Sequence, residues 1–198
     1  MPTDYLLGLD SGSTMTKAVL FDTDGLPRGI GRRQILPDQA QPHRVERDME
    51  SIWQAAAAAI RDALADADVD AGRIAAVGVT AHGDGVYLID GERQPLGPGI
   101  MSLDSRALGL VTQWQEAGLE SPALKLTGQF PYAYAPPALL AWIKREQPQR
   151  YARIASVLSC KDWLRYRLTD AIATDFTEAS TGFTDVSTQR YSESALEL

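Results

Sequence analysis

The pattern of apolar and polar positions predicts that the chain begins with three strands. Residues 5–10 form a short apolar run that ends in an acid, and residues 15–22 follow after four residues with the alternation typical of a strand. These two segments predict a hairpin. Asp24 and Gly25 mark a second turn, after which residues 28–35 can return as a third strand.

An amphipathic helix is expected next, because apolar residues recur at helical spacing over residues 49–65 and Asp48 is placed to cap the first turn. The later pattern predicts strands at 73–80, 85–90 and 154–159, and helices at 105–117, near 121, at 136–147, at 161–168 and at the C-terminal end. The order predicts an α/β protein with a mixed sheet of meandering strands flanked by helices.

Composition narrows the class of protein. With 198 residues, 44% of them apolar, the chain can bury a substantial core. A net charge of −7 with scattered basic residues disfavours a nucleic acid partner.

Cys160 is the single cysteine, which excludes an internal disulfide and favours a reducing cytoplasm. The N-terminus lacks an export signal and no apolar stretch is long enough to span a bilayer, so we expect a cytoplasmic protein without a membrane partner.

The first hairpin carries the clearest candidate chemistry. Residues 7–17 have the sequence LGLDSGSTMTK. Gly12 permits close approach of the backbone to a phosphate, while Ser13 and Thr14 offer amide and hydroxyl donors. Asp10 could hold Mg²⁺ and Lys17 could offset phosphate charge. The same residues also fit an ordinary type I′ hairpin with small turn residues, and this segment alone leaves the two alternatives open.

An acid, a Gly-Ser turn and a lysine between two strands resemble the first phosphate motif of the actin, Hsp70 and sugar-kinase superfamily. The rest of the chain is similar to the FGGY carbohydrate kinases, with matching segments in the same order: VGVTAHGD at 77–84, GIMSLDSR at 99–106, and KDWLRYRLT at 161–169. This resemblance covers nearly the whole chain. It implies a ribonuclease H-like fold and phosphorylation of a sugar hydroxyl with ATP and Mg²⁺ as cofactors.

The resemblance also implies a sugar-binding set. Asp84 falls where these kinases present a polar side chain to sugar hydroxyls, and Tyr134 keeps the spacing of a substrate-contacting tyrosine. Asp104 matches the acid of the family's Asp-x-Arg motif, and Ser102 stands where the family usually has an aromatic residue. Each has an alternative: Asp84 as a solvated turn residue, Asp104 as a helix N-cap and Tyr134 as loop packing. His82 either lines the pocket or bonds a backbone carbonyl.

Several other residues are expected to be structural. The four tryptophans lie at helical spacing, which favours packing in the core over ligand stacking. Cys160 has no histidine positioned beside it in the sequence, so nucleophilic catalysis has no support. Lys161 and Asp162 resemble a family signature that we interpret as structural.

In the family the general base is an aspartate from a later segment, expected beyond Leu198, and a C-terminal domain binds the nucleotide. The resemblance therefore predicts that residues 1–198 are an incomplete N-terminal, sugar-binding domain, inactive alone. Local similarity at 45–50, 94–100 and 150–154 favours a pentulose kinase acting on L-xylulose or D-xylulose. Erythritol or glycerol kinases, a noncatalytic actin-like or pseudokinase module, and another superfamily kinase remain alternatives, and a homodimer is left open.

Overall fold

The computed structural model describes residues 4–39 and 41–197. Its strands in chain order are β1 (Tyr5–Ser11), β2 (Met15–Phe21), β3 (Pro27–Gln34), β4 (Glu46–Arg47), β5 (Ile74–Ala81), β6 (Tyr87–Ile89), β7 (Gly99–Ile100) and β8 (Ser156–Leu158). Its helices are α1 (Met49–Ala67), α2 (Leu108–Glu116), α3 (Glu120–Thr127), α4 (Pro136–Glu146), α5 (Pro148–Tyr151), α6 (Cys160–Thr169), α7 (Phe176–Ala179) and α8 (Glu193–Glu197).

The main sheet has the strand order β3-β2-β1-β5. The first three strands form an antiparallel meander, and β5 joins the sheet parallel to β1 after the crossover through α1. Two-stranded pairs of β4 with β7 and of β6 with β8 extend the structure beyond this sheet. The predicted ribonuclease H-like arrangement, a mixed sheet of meandering strands with helices packed against it, is confirmed.

Helix α1 packs closely on β2 and β3. The Asp48 side chain caps it by accepting a 2.7 Å hydrogen bond from the Ser51 amide, as predicted. Small residues meet at the contact: a Cβ atom added to Gly31 would lie 1.9 Å from the carbonyl oxygen of Ala59. The glycine is therefore required for the helix to approach the sheet this closely.

The two faces of the main sheet have different surroundings. Leu9 on the α1 side is 1% exposed and packs into the first core, together with side chains of α6. On the opposite face Leu6 is 47% exposed and Ile30 is 41% exposed. Within the described residues, the helices that contact this sheet lie on one side of it, and the hairpin with the candidate motif borders the open side.

A second core lies between the β6–β7 region and helices α2 and α4, with Leu88, Ile100 and Ile143 buried at its centre. The tryptophans divide between the two cores: Trp163 is buried in the first with Trp53 at its edge, while Trp114 and Trp142 pack against the second. The prediction that the tryptophans pack in the core is confirmed.

Some predicted boundaries are wrong. Helix α2 begins at Leu108 rather than at residue 105, and its N-cap residue Ala107 makes no side-chain capping bond. Asp104 does not cap this helix: its carboxylate accepts from the Arg106 amide at 3.0 Å in the turn before α2, and from the further groups described below. The segment before α1 contributes the short strand β4, which the sequence pattern did not predict. In the part of the chain that the structure describes, no helix combines the length and the apolar character needed to cross a membrane.

Candidate active site

Side-chain and backbone donors hold the turn between β1 and β2 on the side that faces the protein interior. The Gly12 amide donates to the Met15 carbonyl at 3.0 Å, and the Ile35 amide donates to the Thr14 carbonyl at 3.0 Å. The buried Arg47 guanidinium donates from Nη1 to the Gly12 carbonyl at 3.3 Å and from Nη2 to the Ser13 carbonyl. The carbonyl groups of the turn therefore point into the protein.

The amides of Ser13 and Thr14 have no acceptor among residues 4–39 and 41–197. Both residues lie outside the strands, so the β1–β2 ladder does not use these amides either. A type I′ turn requires positive φ at both central residues, and neither Ser13 nor Thr14 has a positive φ. The turn is therefore not the type I′ turn that the sequence offered as an alternative. Outward amides at a tight turn are suited to bind an anion.

Charged side chains form a row across the open face of the sheet next to this turn. Lys17 is the cross-strand partner of Asp10 on β1 and of Arg32 on β3, and Thr80 of β5 lies on the other side of Asp10. Directly opposed residues in a sheet project from the same face. In the described part of the chain Asp10 and Lys17 have no hydrogen-bond or ion-pair partner, so both remain available to ligands. Arg32 was not predicted; only the register of β3 places it here.

Asp10 fits a magnesium ion that takes most of its ligands from outside the protein. No group of three or more His, Cys, Asp or Glu side chains that could hold a metal occurs among the described residues. Mg²⁺ is commonly bound by one or two carboxylates together with phosphate oxygens and water. The exposed Asp10 carboxylate, beside the outward amides, can supply the one protein ligand that this mode of magnesium binding needs.

The second wall of the site follows β5. Because the carboxyl ends of the parallel strands β1 and β5 meet at one edge, the loop after β5 begins beside the β1–β2 turn: the His82 amide donates to the Ser11 carbonyl at 3.0 Å. The loop then reaches Asp84, and the next amide, that of Gly85, donates to the Tyr134 carbonyl at 3.1 Å. The structure thus places the Tyr134 backbone beside the loop that carries Asp84, although the two residues are 50 positions apart in the sequence.

Asp84 has the features of a binding residue. Its backbone is left-handed, with φ of 55°, and its carboxylate is half-buried without a hydrogen-bond or ion-pair partner in the described ranges. Burial raises the pKa of this carboxyl above its ordinary value. A half-buried carboxylate that lacks a protein partner is a strong acceptor for ligand hydroxyl groups. This arrangement favours the binding interpretation over that of a solvated turn residue.

His82 faces inward. Its Nε2 atom and the Tyr87 hydroxyl are 2.9 Å apart, and its buried Nδ1 atom makes no hydrogen bond of good geometry within the ranges described. Burial lowers the pKa of His82, the adjacent Gly83 backbone partly offsets this effect, and the nearby Arg47 charge lowers the pKa further. The ring is therefore neutral at pH 7. The bond to Tyr87 was in neither alternative that the sequence offered.

The Asp104 carboxylate makes hydrogen bonds inside the protein. It is buried, and its oxygens accept from the Val45 amide at 2.8 Å and from Arg106 Nε at 2.8 Å and Nη2 at 2.7 Å. The Arg106 side chain is 2% exposed and also bonds Glu46 at 2.6 Å. Burial works to lower the pKa of Arg106, but the bonds to Asp104 and Glu46 outweigh it and the net pKa is raised. Asp104 and Arg106 thus join the segment after β7 to β4, and direct contact between Asp104 and a sugar stays a prediction.

Ser102 and Tyr134 are half-buried. The Tyr134 carbonyl and the backbone of Met101, the residue before Ser102, both lie against Gly85. Tyr134 stacks on Tyr132 with ring centroids 5.6 Å apart, so the packing alternative holds for one face of its ring. Its hydroxyl has no partner among the residues described, which leaves it free to bind a ligand. A cavity of about 320 Å³ adjoins this wall at Gly85 and Pro136 and continues toward α6 and α7.

The residues expected to be structural have structural contacts. Asp162 forms a capping box with Ser159 at the start of α6, and Lys161 pairs with Asp175 at 2.9 Å and Glu178 at 3.1 Å. Burial raises the pKa of the Cys160 thiol to about 11, which keeps it protonated and unreactive.

Solved structures define the class of this protein. A gluconate kinase from Lactobacillus acidophilus matches it with a TM-score of 0.92, covering 98% of this chain and 39% of that chain at 24% identity. A xylulose kinase from Rhodospirillum rubrum matches with a TM-score of 0.90 over 98% of this chain and 40% of that one, also at 24% identity. The class is that of α/β proteins with the ribonuclease H-like fold seen in sugar kinases.

The family follows from the sequence. Residues 5–198 match the N-terminal domain of the FGGY family of carbohydrate kinases, and the chain belongs to this family. It is 40% identical over 167 residues to an L-xylulose/3-keto-L-gulonate kinase of Escherichia coli, covering 84% of this chain and 34% of that protein. It is 30% identical over 197 residues to an erythritol kinase of Brucella abortus, covering 98% of this chain and 37% of that protein. The chain thus spans little more than a third of the length of these relatives.

Proposed function

We propose that this chain forms the sugar-binding wall and the first phosphate turn of a cytoplasmic, ATP-dependent kinase that phosphorylates a hydroxyl group of a pentulose such as L-xylulose or D-xylulose. One observation carries the proposal: the partnerless Asp84 carboxylate lies in the loop that follows β5, and that strand ends beside the turn with the free Ser13 and Thr14 amides. Acceptors for hydroxyl groups and donors for phosphate therefore occur at one sheet edge.

In this proposal Asp84 accepts hydrogen bonds from neighbouring sugar hydroxyls, and the Tyr134 hydroxyl and Ser102 complete the wall. The Gly12–Thr14 turn donates amide hydrogens to phosphate oxygens, and Lys17 offsets their charge. A Mg²⁺ ion held at Asp10 would neutralise charge on the transferring phosphoryl group. The carboxylate that deprotonates the sugar hydroxyl is assigned to the part of the relatives' length that this chain does not span.

The substrate class rests on two features. The similarity to the L-xylulose/3-keto-L-gulonate kinase of Escherichia coli supports a pentulose. A carboxylate at position 84 can accept from two adjacent hydroxyl groups, which ketoses and polyols both present. Ser102 in place of an aromatic side chain leaves room at one end of the wall, and together with the similarity to an erythritol kinase it supports a polyol as the second candidate.

Calorimetric titration of the 198-residue chain with L-xylulose, D-xylulose, erythritol and glycerol tests the binding part. We expect one of these ligands to bind, Asp84→Asn to weaken its binding about tenfold, and Tyr134→Phe to weaken it less, because a neutral hydrogen bond contributes less than a charged one. Arg153→Met, which changes an exposed ion pair with Asp90, is the control. Failure of all four ligands to bind would refute the sugar site.

An ADP-release assay with the same ligands tests the assignment of the base. Binding without ADP release is expected for the chain alone. Turnover by the 198 residues would overturn the assignment of the deprotonating carboxylate to another segment, while leaving the sugar site intact. If a longer chain binds sugar but releases no ADP, that result would instead support a noncatalytic binding module.

A further inference from the structure

Arg47 is a buried cation without an anionic partner. It ends β4, it is 2% exposed, and no acidic side chain in residues 4–39 or 41–197 forms an ion pair with it. Burial lowers its pKa, yet an arginine remains charged in proteins at neutral pH. Because an unpaired buried charge is costly, the contacts that compensate it indicate what the residue does.

Those contacts are backbone carbonyl groups, and two of them belong to the phosphate turn. The guanidinium bonds the carbonyls of Gly12 and Ser13 and also that of Ile35, at 3.3 Å from Nη2. The backbone of Ile35 contributes as well, since its amide bonds the Thr14 carbonyl. Arg47 and Ile35 together hold three consecutive carbonyl groups of the turn on its inner side.

Fixing these carbonyls also fixes the amides between them. The peptide unit is planar with its N–H and C=O pointing in opposite directions, so a carbonyl held inward turns the following amide outward. The inward carbonyls of Gly12 and Ser13 therefore account for the outward amides of Ser13 and Thr14. A positive charge directly behind the turn adds to the attraction of an anion.

We propose that Arg47 is the positioning residue of the phosphate turn: it holds the Gly12 and Ser13 carbonyl groups inward, so that the Ser13 and Thr14 amides are preset to bind phosphate oxygens. The inference rests on the proposed function, because it gives those amides a phosphate ligand. The alternative is that Arg47 only ties β4 to the main sheet and contributes to stability without affecting ligand binding.

The test compares Arg47→Met and Arg47→Lys with wild type and with the control Arg28→Met, which removes a cation paired with Asp22 at the next turn of the same sheet. Amide ¹H–¹⁵N spectra report on Ser13 and Thr14. Titrations with MgATP and with the sugar that binds the wild-type chain report on the two halves of the site.

In Arg47→Met we expect displaced Ser13 and Thr14 amide signals, unchanged signals in α1, and MgATP affinity reduced about tenfold, the effect of one charge-assisted bond. Sugar affinity should stay within about twofold. Arg47→Lys keeps the charge, but its single ammonium nitrogen cannot reproduce the contacts of two guanidinium nitrogens, so it should give a smaller displacement in the same direction. Arg28→Met should match wild type in all readouts.

Wild-type turn signals and MgATP affinity in Arg47→Met would overturn the inference, as would a parallel loss of sugar and MgATP affinity, since that indicates a general structural role. If Arg47→Met does not fold, Arg47→Lys is used to test the inference. Wild-type turn signals and MgATP affinity in that variant would contradict it. If MgATP does not bind the wild-type chain, the amide signals alone decide whether Arg47 sets the turn, because the resemblance places most nucleotide contacts in a C-terminal domain.

Discussion

The two faces of the main sheet perform different tasks. The face toward α1 carries Leu7, Leu9, Ala18 and Leu20, all buried, and glycines at the points of closest approach. The opposite face carries Asp10, Lys17 and Arg32 in one row, with Leu6 and Ile30 exposed beside them. The strands thus bury alternate residues in the core and present the residues between them, which we propose contact ligands, on the open face. Substitutions of neighbouring residues should therefore have very different effects.

The largest difference is expected between two leucines of β1. Leu9→Ala removes a side chain that is fully buried against α1 and should lower the free energy of unfolding by about 3 kcal/mol. Leu6→Ala, on the open face, should cost less than about 1 kcal/mol. Urea unfolding followed by tryptophan fluorescence measures both. Equal losses for the two variants would show that the open face is as well packed as the other.

Two strand glycines give the next comparison. In Gly31→Ala the new methyl group would meet the α1 backbone, and we expect a loss of about 2 kcal/mol as the helix shifts outward. Gly78→Ala, on β5, has nothing within 4 Å of the new Cβ atom and should be neutral or slightly stabilising. The same unfolding experiment applies. A destabilised Gly78→Ala variant would mean that β5 is more closely covered than the structure indicates.

Asp84→Asn should increase stability at neutral pH. The folded-state pKa of Asp84 lies above its ordinary value, so the folded state binds the proton more tightly than the unfolded state does. Stability therefore falls as the pH rises from about 4, the ordinary value, through the raised folded-state value. The asparagine variant avoids this penalty and should gain less than about 1 kcal/mol at pH 7, because the group is partly solvated.

At pH 3 Asp84 is protonated in both states, so the gain should vanish there. Unfolding curves for the wild type and Asp84→Asn at the two pH values make the comparison. A gain of the same size at pH 3 and pH 7 would indicate that the asparagine acts through a new hydrogen bond rather than through the removed charge.

Lys17→Met should have the smallest effect on stability. Lys17 is exposed on the open face and has no partner in the described residues, so we expect a change within about 0.5 kcal/mol. The same substitution should weaken MgATP binding several-fold, because it removes a cation beside the phosphate turn. Unfolding curves and titration on one preparation separate the two effects. A loss of stability similar to that of Leu9→Ala would contradict the difference in packing between the two faces of the sheet.

Local chemistry accounts for much that the sequence predicted. The alternation in β1 and β2, the Asp48 cap and the helical spacing of α1 are determined by neighbouring residues, and the structure confirms each. The order of motifs was enough to identify the family and the fold. The candidate residues Asp84 and Tyr134 were also found from the sequence, through motif spacing.

Only the tertiary structure decided how these residues are held. The engagement of Asp104 by the Val45 amide and Arg106, the pairing of His82 with Tyr87, and the placement of Arg47 behind the turn all join segments that are not adjacent in the sequence. No periodicity or cap signals such contacts, since a buried polar group takes whichever partner the packed chain brings within reach. The sequence by itself therefore determined the elements and the candidate chemistry, while the folded chain decided which polar groups are satisfied internally and which remain free for ligands.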